Sequence, residues 1–517
     1  MHNRRSHKLR LPGHRHGGES QATSHGHGEA KASANTHVDG SRGQPKHAGM
    51  ALLLLLALAQ LMVILDISAV NVALPELGKD LGIAGGDLGW TITSYSLVFG
   101  SLLLLGGRAA DLLGRRRVFL AGLGIFTVAS LASALATSAE VFFTARAGQG
   151  LGAAMLSPAA LSIITTTFQG PARTKALGVW GAVGGAGAAI GVLLGGTLTE
   201  LVDWRAIFLI NLPLGIGVAV AAMKVVPADV ARPQWRGLDL RGALVATASL
   251  AALVYALSQA ADAGWTSAQT LGIGITGLVG LAAFGAMELH TREPLLNISR
   301  FRERAVGGGF LMMLTASAVL FGSFLLTSIY LQDVLGTGAL ETGLAFLPMA
   351  VIIGLGAHLG SHLVGHAGLR VAMAAAFALT AGGMLLLAGI DSQGSYAADI
   401  LPGMLVAGLG LGIALVSVAL SVLTGAADDE AGMLSGLNTT GHEIGGSLGV
   451  AVLVTIATGS IGTGASASTA SLASGLGDAF MVSGVIAAAA GVIALFVLPS
   501  AASFLPKLRL VPRVALH

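Results

Sequence analysis

The sequence contains no cysteine among its 517 residues, which excludes disulfides, thiolate metal sites and a catalytic thiol. Charge is scarce too, at 11% of residues against the ~25% of an ordinary soluble domain. A chain this long would otherwise suggest several soluble domains. With 54% hydrophobic residues, that reading fails. There is no G-x-x-x-x-G-K-[ST] phosphate loop, so ATP-driven work would need a partner subunit. No H-E-x-x-H or comparable constellation supports a membrane-bound enzyme. A channel would show a pore ring or filter, and a membrane receptor would need a sensor loop; neither is visible. No apolar segment alternates with period two, so a transmembrane barrel is also excluded.

What is present is glycine, 75 residues and about twice the usual ~7% share. Glycine lets helix backbones approach closely in a bilayer. Residues 1–48 are polar, rich in His, Gly, Ser, Arg and Lys, and read as a disordered tail without a signal-peptide cleavage pattern. Its eight histidines would bind metal weakly; a basic, solvated tail near anionic lipid is the stronger reading, and no metal site is expected. Fourteen apolar segments follow, most close to the ~20 residues that cross a bilayer as a helix. They lie at 50–74, 89–105, 118–136, 141–167, 176–198, 206–225 and 240–260, then 270–289, 308–331, 342–364, 371–390, 397–423, 431–457 and 479–498. With the tail in the cytoplasm and the loops alternating, 26 of the 29 Lys and Arg fall inside. Only Lys79 and Arg205 fall outside, and Arg146 lies within a segment. This obeys the positive-inside rule, which a missed or extra helix would scramble. An all-α integral membrane protein with both termini cytoplasmic is expected.

The chain also repeats itself. Sliding it by 254 residues lays Gly100, Gly106, Gly114 and Arg116 over Gly354, Gly360, Gly368 and Arg370. In the fourth segment "GLGAAMLSPA" (150–159) meets "GLGIALVSVA" (410–419), and "GAAIGV" (187–192) meets "GGSLGV" (445–450). Two six-helix bundles are expected at 49–225 and 301–500, with an extra helix pair in 226–300 and a C-terminal tail at 501–517. Weak internal repeats of this kind mark secondary transporters, whose substrate path lies between the halves.

Between the second and third segments stands "GGRAADLLGRRR" (106–117). Topology accounts for Arg115, Arg116 and Arg117 but not for Asp111, which could cap a helix N-terminus or pair across the bundle. The loop resembles the signature loop of the major facilitator superfamily. That resemblance implies a conformational latch of Gly107, Asp111, Gly114, Arg115 and Arg116 between the two halves. The cognate loop "HLVGHAGLR" (362–370) keeps the glycines and one arginine but lacks the acid. "LDISAVNVALPEL" (65–77) is similar to the first-helix motif of the fourteen-span drug:proton antiporters, the EmrB/QacA-like branch. "RAGQGLGAAMLSP" (146–158) resembles the superfamily's fourth-helix motif. "GAAIGVLLGG" (187–196), followed by "WRAIFLINLPLG", resembles the fifth-helix antiporter motif, carried here by Gly187, Gly191, Gly195 and Gly196. One departure is Val192, where the family has a kinking proline. The resemblance implies proton-driven efflux of hydrophobic or cationic small molecules, without a cofactor and by a monomer. Export of one self-made metabolite is the alternative. No nucleic-acid partner is indicated.

Charges inside spans are functional candidates by default. Asp66, with Gln60 and Asn71 on flanking turns, is a candidate proton site, because a bilayer-buried carboxyl can cycle between charged and neutral forms. The resemblance ties Arg146 to proton coupling; an arginine reaching to an interface is the other reading. His442 and Glu443 fall over Gly184 and Gly185 in the repeat. They read either as a titratable patch facing the cavity, with Asn438 and Thr439 one turn away, or as solvated residues near the cytoplasm. His358, His362 and His366 share one helix face, either a zinc stripe or, more in keeping with their place, an interfacial face.

Overall fold

A bilayer interior offers no water to pair with the backbone, so each segment must satisfy its own N–H and C=O groups. The chain does so with helices alone among its described residues. The computed structural model describes residues 46–83, 90–229, 239–291, 294–424, 430–459 and 468–509. The expected disordered tail therefore lies outside them except for its last three residues, which open the first helix.

The elements are α1 (Lys46–Asp80), α2 (Trp90–Leu113), α3 (Arg115–Ala134), α4 (Ala139–Thr167), α5 (Gly170–Leu201), α6 (Ala206–Leu209), α7 (Asn211–Val225) and α8 (Leu240–Ala263). They continue with α9 (Ala268–Glu288), α10 (Arg304–Ile329), α11 (Ala339–Ala367), α12 (Leu369–Leu387), α13 (Leu401–Leu423), α14 (Ala431–Gly459), α15 (Thr469–Val497) and α16 (Ala501–Arg509). Twelve helical stretches among the described residues are long and apolar enough to cross a membrane. In α5 and α8 only the shorter stretches Ile190–Leu201 and Arg241–Leu257 are apolar, so twelve of the expected fourteen spans stand out among the described residues.

Several boundaries differ from expectation, among them that of α2, which runs on to Leu113 rather than ending at 105. The segment at 206–225 is two helices, parted at Ile210. The last span starts at Thr469, ten residues early, where Ser468 caps it by accepting the Ser471 N–H at 3.1 Å. The expected tail at 501–517 opens with α16.

Glycine sets the packing. Gly187, Gly191 and Gly195 of α5 lie one turn apart against Leu61–Ile64, Leu65–Ser68 and Ala69 of α1. Gly441, Gly445 and Gly449 of α14 do the same against Phe310–Met313, Leu314 and Ala318 of α10. These are small-xxx-small faces, where dispersion contacts between backbones replace the hydrophobic drive that lipid removes. Gly196 is buried in the same helix as the first ladder, and α5 runs unbroken through Val192. α5 packs antiparallel on α11, Gly178 meeting Ser361 and Leu193 meeting Gly343, while α2 packs on α14. α8 lies against both α2 and α14, and α9 against α8.

Candidate functional site

A cavity of about 100 Å³ lies where α1, α2, α4 and α5 face α10, α11, α13 and α14. Its wall is apolar and aromatic, with Phe99, Trp180, Phe321, Phe324 and Phe346. Polar groups enter at a few points. Gln60 accepts from the Ser157 hydroxyl at 2.8 Å, and both face the cavity, as do Asn438 and Thr439. His442 and Glu443 project into it from α14, and Gly184 lines it from α5. His442 Nδ1 lies 2.6 Å from the Ser317 hydroxyl, with its ring 5.1 Å from that of Phe321. Glu443 has no hydrogen-bond or ion-pair partner among the described residues, and it is the only acid in the described lining. No lysine or arginine joins that lining. The reading that left His442 and Glu443 solvated near the cytoplasm does not describe this placement.

Asp66 and Arg146 do not line the cavity. They form a buried ion pair behind its wall, each 1% exposed. The Asp66 carboxylate also accepts from Gln149 Nε2 at 2.8 Å and Asn211 Nδ2 at 3.2 Å. Arg146 donates to Gln149 Oε1 at 2.9 Å and to the Thr91 carbonyl at 3.2 Å, and its guanidinium lies 4.6 Å over the Tyr95 ring. Ser130 and Ser133 complete the network around Gln149. Two charges in a low dielectric are tolerable only when paired and fully hydrogen-bonded, and here they are. The interfacial reading of Arg146 is thereby corrected. Gln60 turns to Ser157 rather than to Asp66, and the Asn71 side chain lies outside the described residues.

The sequence reading missed Gln149, Asn211, Ser130 and Tyr95. Gln149 was within reach, since it stands three residues after Arg146 on the same helix face. Asn211 sits where α6 gives way to α7, and no local pattern marks it.

The stretch expected as a loop at 106–117 is instead the last two turns of α2 and the start of α3, parted only at Gly114, and it joins the two parts of the chain. Asp111 accepts the backbone N–H groups of Gly432 and Met433, both at 2.9 Å, in the first turn of α14. Four such N–H groups are unpaired at any helix start, and the dipole favours an anion there. Arg115 bonds Asp111 at 3.3 Å and the Ser162 hydroxyl at 2.7 Å. Gly107 abuts the Gly432 carbonyl, leaving no room for a methyl. Gly114 has φ of +107°, and a side chain there would strike Asp229. Asp229 in turn caps α3, accepting the Arg116 and Arg117 N–H groups at 3.2 and 3.0 Å. The repeat reproduces this in outline: Gly368 has φ of +83°, and the Ser361 hydroxyl meets the Thr174 carbonyl at 3.3 Å. The acid has no counterpart in the cognate stretch, where Gly365 stands in its place.

Two other patterns resolve simply. His358, His362 and His366 lie on an exposed face of α11, and no group of three metal-ligating side chains occurs among the described residues. The expectation that no G-x-S-x-G constellation occurs is corrected at Gly445–Gly449, which has that spacing but lies within continuous α14, without the strand-to-helix turn that exposes the serine of a hydrolase elbow.

Residues 56–450 match the family model described as Major Facilitator Superfamily. The chain is 40% identical to the cephamycin export protein of Amycolatopsis lactamdurans, over 83% of this chain and 88% of that one. It is 39% identical to the puromycin resistance protein of Streptomyces alboniger, over 79% and 81%. The crystal structure of the human organic anion transporter MFSD10 superposes with a TM-score of 0.64 at 15% identity, over 88% of this chain and all of that one, a likeness of fold.

Proposed function

This chain belongs to the Major Facilitator Superfamily, and we propose that it exports an antibiotic-like small molecule in exchange for protons. The observation that carries this reading is the buried Asp66–Arg146 pair behind an apolar cavity whose one described acid is Glu443. The aromatic wall suits apolar surface on the cargo, and Glu443 suits a cationic or donor group. Asp66 is encircled by donors, so a proton arriving there must displace the Arg146 bond and loosen α1 from α4. Proton and cargo would meet at Glu443, which lines the cavity, and not at Asp66, which does not. No cofactor is needed, since the proton gradient supplies the work.

The fourteen-span arrangement goes with this reading, α5 and α8 crossing alongside the twelve apolar stretches. The bundles at 49–225 and 301–500 would rock about the cavity, with α8 and α9 outside it. The latch face would be cytoplasmic, as the basic residues require, in a monomer in the cell membrane. Asp111 of α2, capping α14, would hold that face shut, which would make this state closed to the cytoplasm.

The test is efflux from proteoliposomes under an imposed pH gradient, with puromycin and a cephamycin as first probes and gradient collapse as control. Asp66→Asn is expected to abolish gradient-driven efflux at near-normal protein abundance, and Asp66→Glu to retain part of it, because glutamate still titrates. Full gradient-driven efflux in the Asn variant would remove Asp66 from the mechanism. The two relatives above are each named for a single antibiotic and another relative for multidrug resistance, so both a broad and a dedicated exporter fit, and a substrate panel separates the two.

A further inference from the structure

His442 has no part in the exchange described above, although it faces the cavity. Its ring is held from α10 on two sides. Nδ1 lies 2.6 Å from the Ser317 hydroxyl, and the Phe321 ring stands 5.1 Å from its own. The glycine ladder makes this possible, since Gly441 and Gly445 flank His442 and let α14 settle on Phe310, Met313 and Leu314. Ser317 is fully buried and does not line the cavity, so the Nδ1 edge of the ring points out of it. The edge left to the cavity carries Nε2, which makes no hydrogen bond among the described residues. The tautomer is assigned by the same bond. The Ser317 hydroxyl has one hydrogen and two acceptors in reach, Nδ1 at 2.6 Å and the Met313 thioether at 3.6 Å. Sulfur is the weaker acceptor, so the hydrogen goes to Nδ1 and the neutral ring carries its own on Nε2. A protonated ring keeps that N–H too.

We propose that His442 binds cargo, giving its Nε2–H to an acceptor oxygen, and that Ser317 is the positioning residue that fixes this tautomer and its direction. The proposal rests on the export reading and narrows the class of cargo. Next to His442 in the chain, Glu443 lines the same cavity as an acceptor. The two neighbours on α14 thus offer one donor and one acceptor. Cargo that satisfies both carries an amine or other donor and, close to it, a carbonyl, ether or hydroxyl oxygen. A lipophilic cation without hydrogen-bonding groups satisfies Glu443 alone. Room for the cargo lies at Gly184 of α5, the counterpart of His442 in the repeat, which lines the cavity and where a methyl would meet nothing within 4 Å.

Two radiolabelled probes separate the classes. Puromycin carries an amine and several acceptor oxygens; tetraphenylphosphonium carries a charge and no hydrogen-bonding group. Each variant would be reconstituted and its counterflow, without a gradient, resolved into apparent KM and maximal rate for both. His442→Phe keeps a ring against Phe321 and removes both nitrogens. It should raise the KM for puromycin about tenfold, the scale of one hydrogen bond, and move that for tetraphenylphosphonium by less than about twofold. Ser317→Ala frees the ring and the tautomer, and should raise the puromycin KM about threefold at unchanged maximal rate. His442→Gln, whose amide nitrogen reaches the place of Nε2, should recover part of the loss. An equal rise for both probes in His442→Phe, the mark of packing alone, would overturn the proposal, as would an unchanged puromycin KM. A wild-type puromycin KM in Ser317→Ala would overturn the positioning role. Wild-type protein that carries tetraphenylphosphonium but not puromycin would overturn this assignment and leave the export reading standing; protein that carries neither would overturn both.

Discussion

Asp111→Asn isolates the closure of the latch face, because the substitution keeps shape and removes charge. The Asp111 side chain is 1% exposed and accepts two backbone N–H groups at 2.9 Å across the seam. An asparagine oxygen can keep one of these bonds, but its amide group then faces the second N–H and Arg115, all donors. A hydrogen bond to a charged group contributes about 1.5–3 kcal/mol, and the helix dipole adds roughly 0.3–1 kcal/mol. Because asparagine is itself a good helix cap, a net loss of about 2 kcal/mol is the reasonable expectation. That would shift the closed-to-open ratio roughly 30-fold. The chain lacks cysteine, so Ala350→Cys, in the cavity wall, would carry its only thiol. The measurement is the alkylation rate of that thiol by a membrane-impermeant maleimide applied to the face bearing Arg115, Arg116 and Arg117. The rate should rise by a factor approaching the shift in ratio. Arg115→Gln should raise it by less than about fivefold, because that side chain is 25% exposed and its bond to Asp111 is long, at 3.3 Å, which limits a partly screened pair to under ~1 kcal/mol. Equal labelling in wild type and Asp111→Asn would reduce the loop to a topology anchor.

Two further outcomes test the packing and the opposite end. Gly449→Ala drives a methyl into the Ala318 backbone and should destabilise the protein by about 1–3 kcal/mol, while Gly272→Ala, with nothing within 4 Å, should be neutral or slightly stabilising; thermal unfolding in detergent checks both, and matching midpoints would refute the glycine-ladder account. At the other end Arg205, with help from Trp204, holds the exposed Asp80 carboxyl below its usual range. The stabilisation is therefore present above the unfolded value and lost as pH falls through the folded one. Asp80→Asn should lower the melting temperature at neutral pH, with the difference closing as pH drops below about 4; a difference that persists in acid would mean the pair does not set it.

The sequence alone was enough for whatever depends on one segment at a time. Each span must satisfy its own backbone, so apolar length reveals twelve of the spans. Glycine spacing foretold the α5 ladder, and the repeat matched the α2–α3 turn to its cognate at Gly368. Asp66, Arg146, Asp111 and Glu443 stood out because a charge in a bilayer needs a reason. Only the tertiary structure decided what each of them faces. Asp66 and Arg146 are 80 residues apart, and a turn of either helix by one residue would part them. That rotation is fixed by glycine ladders seating one helix against another, a property of two segments together. The same packing turned Glu443 into the cavity and Asp66 away from it, although both are lone acids in apolar helices. Asp111 found its partners in backbone N–H groups at a helix start, which every helix possesses and no residue type announces. Pairing in a low dielectric is obligatory, so the presence of a partner could be foreseen; which partner was settled by the approach of α2 to α14.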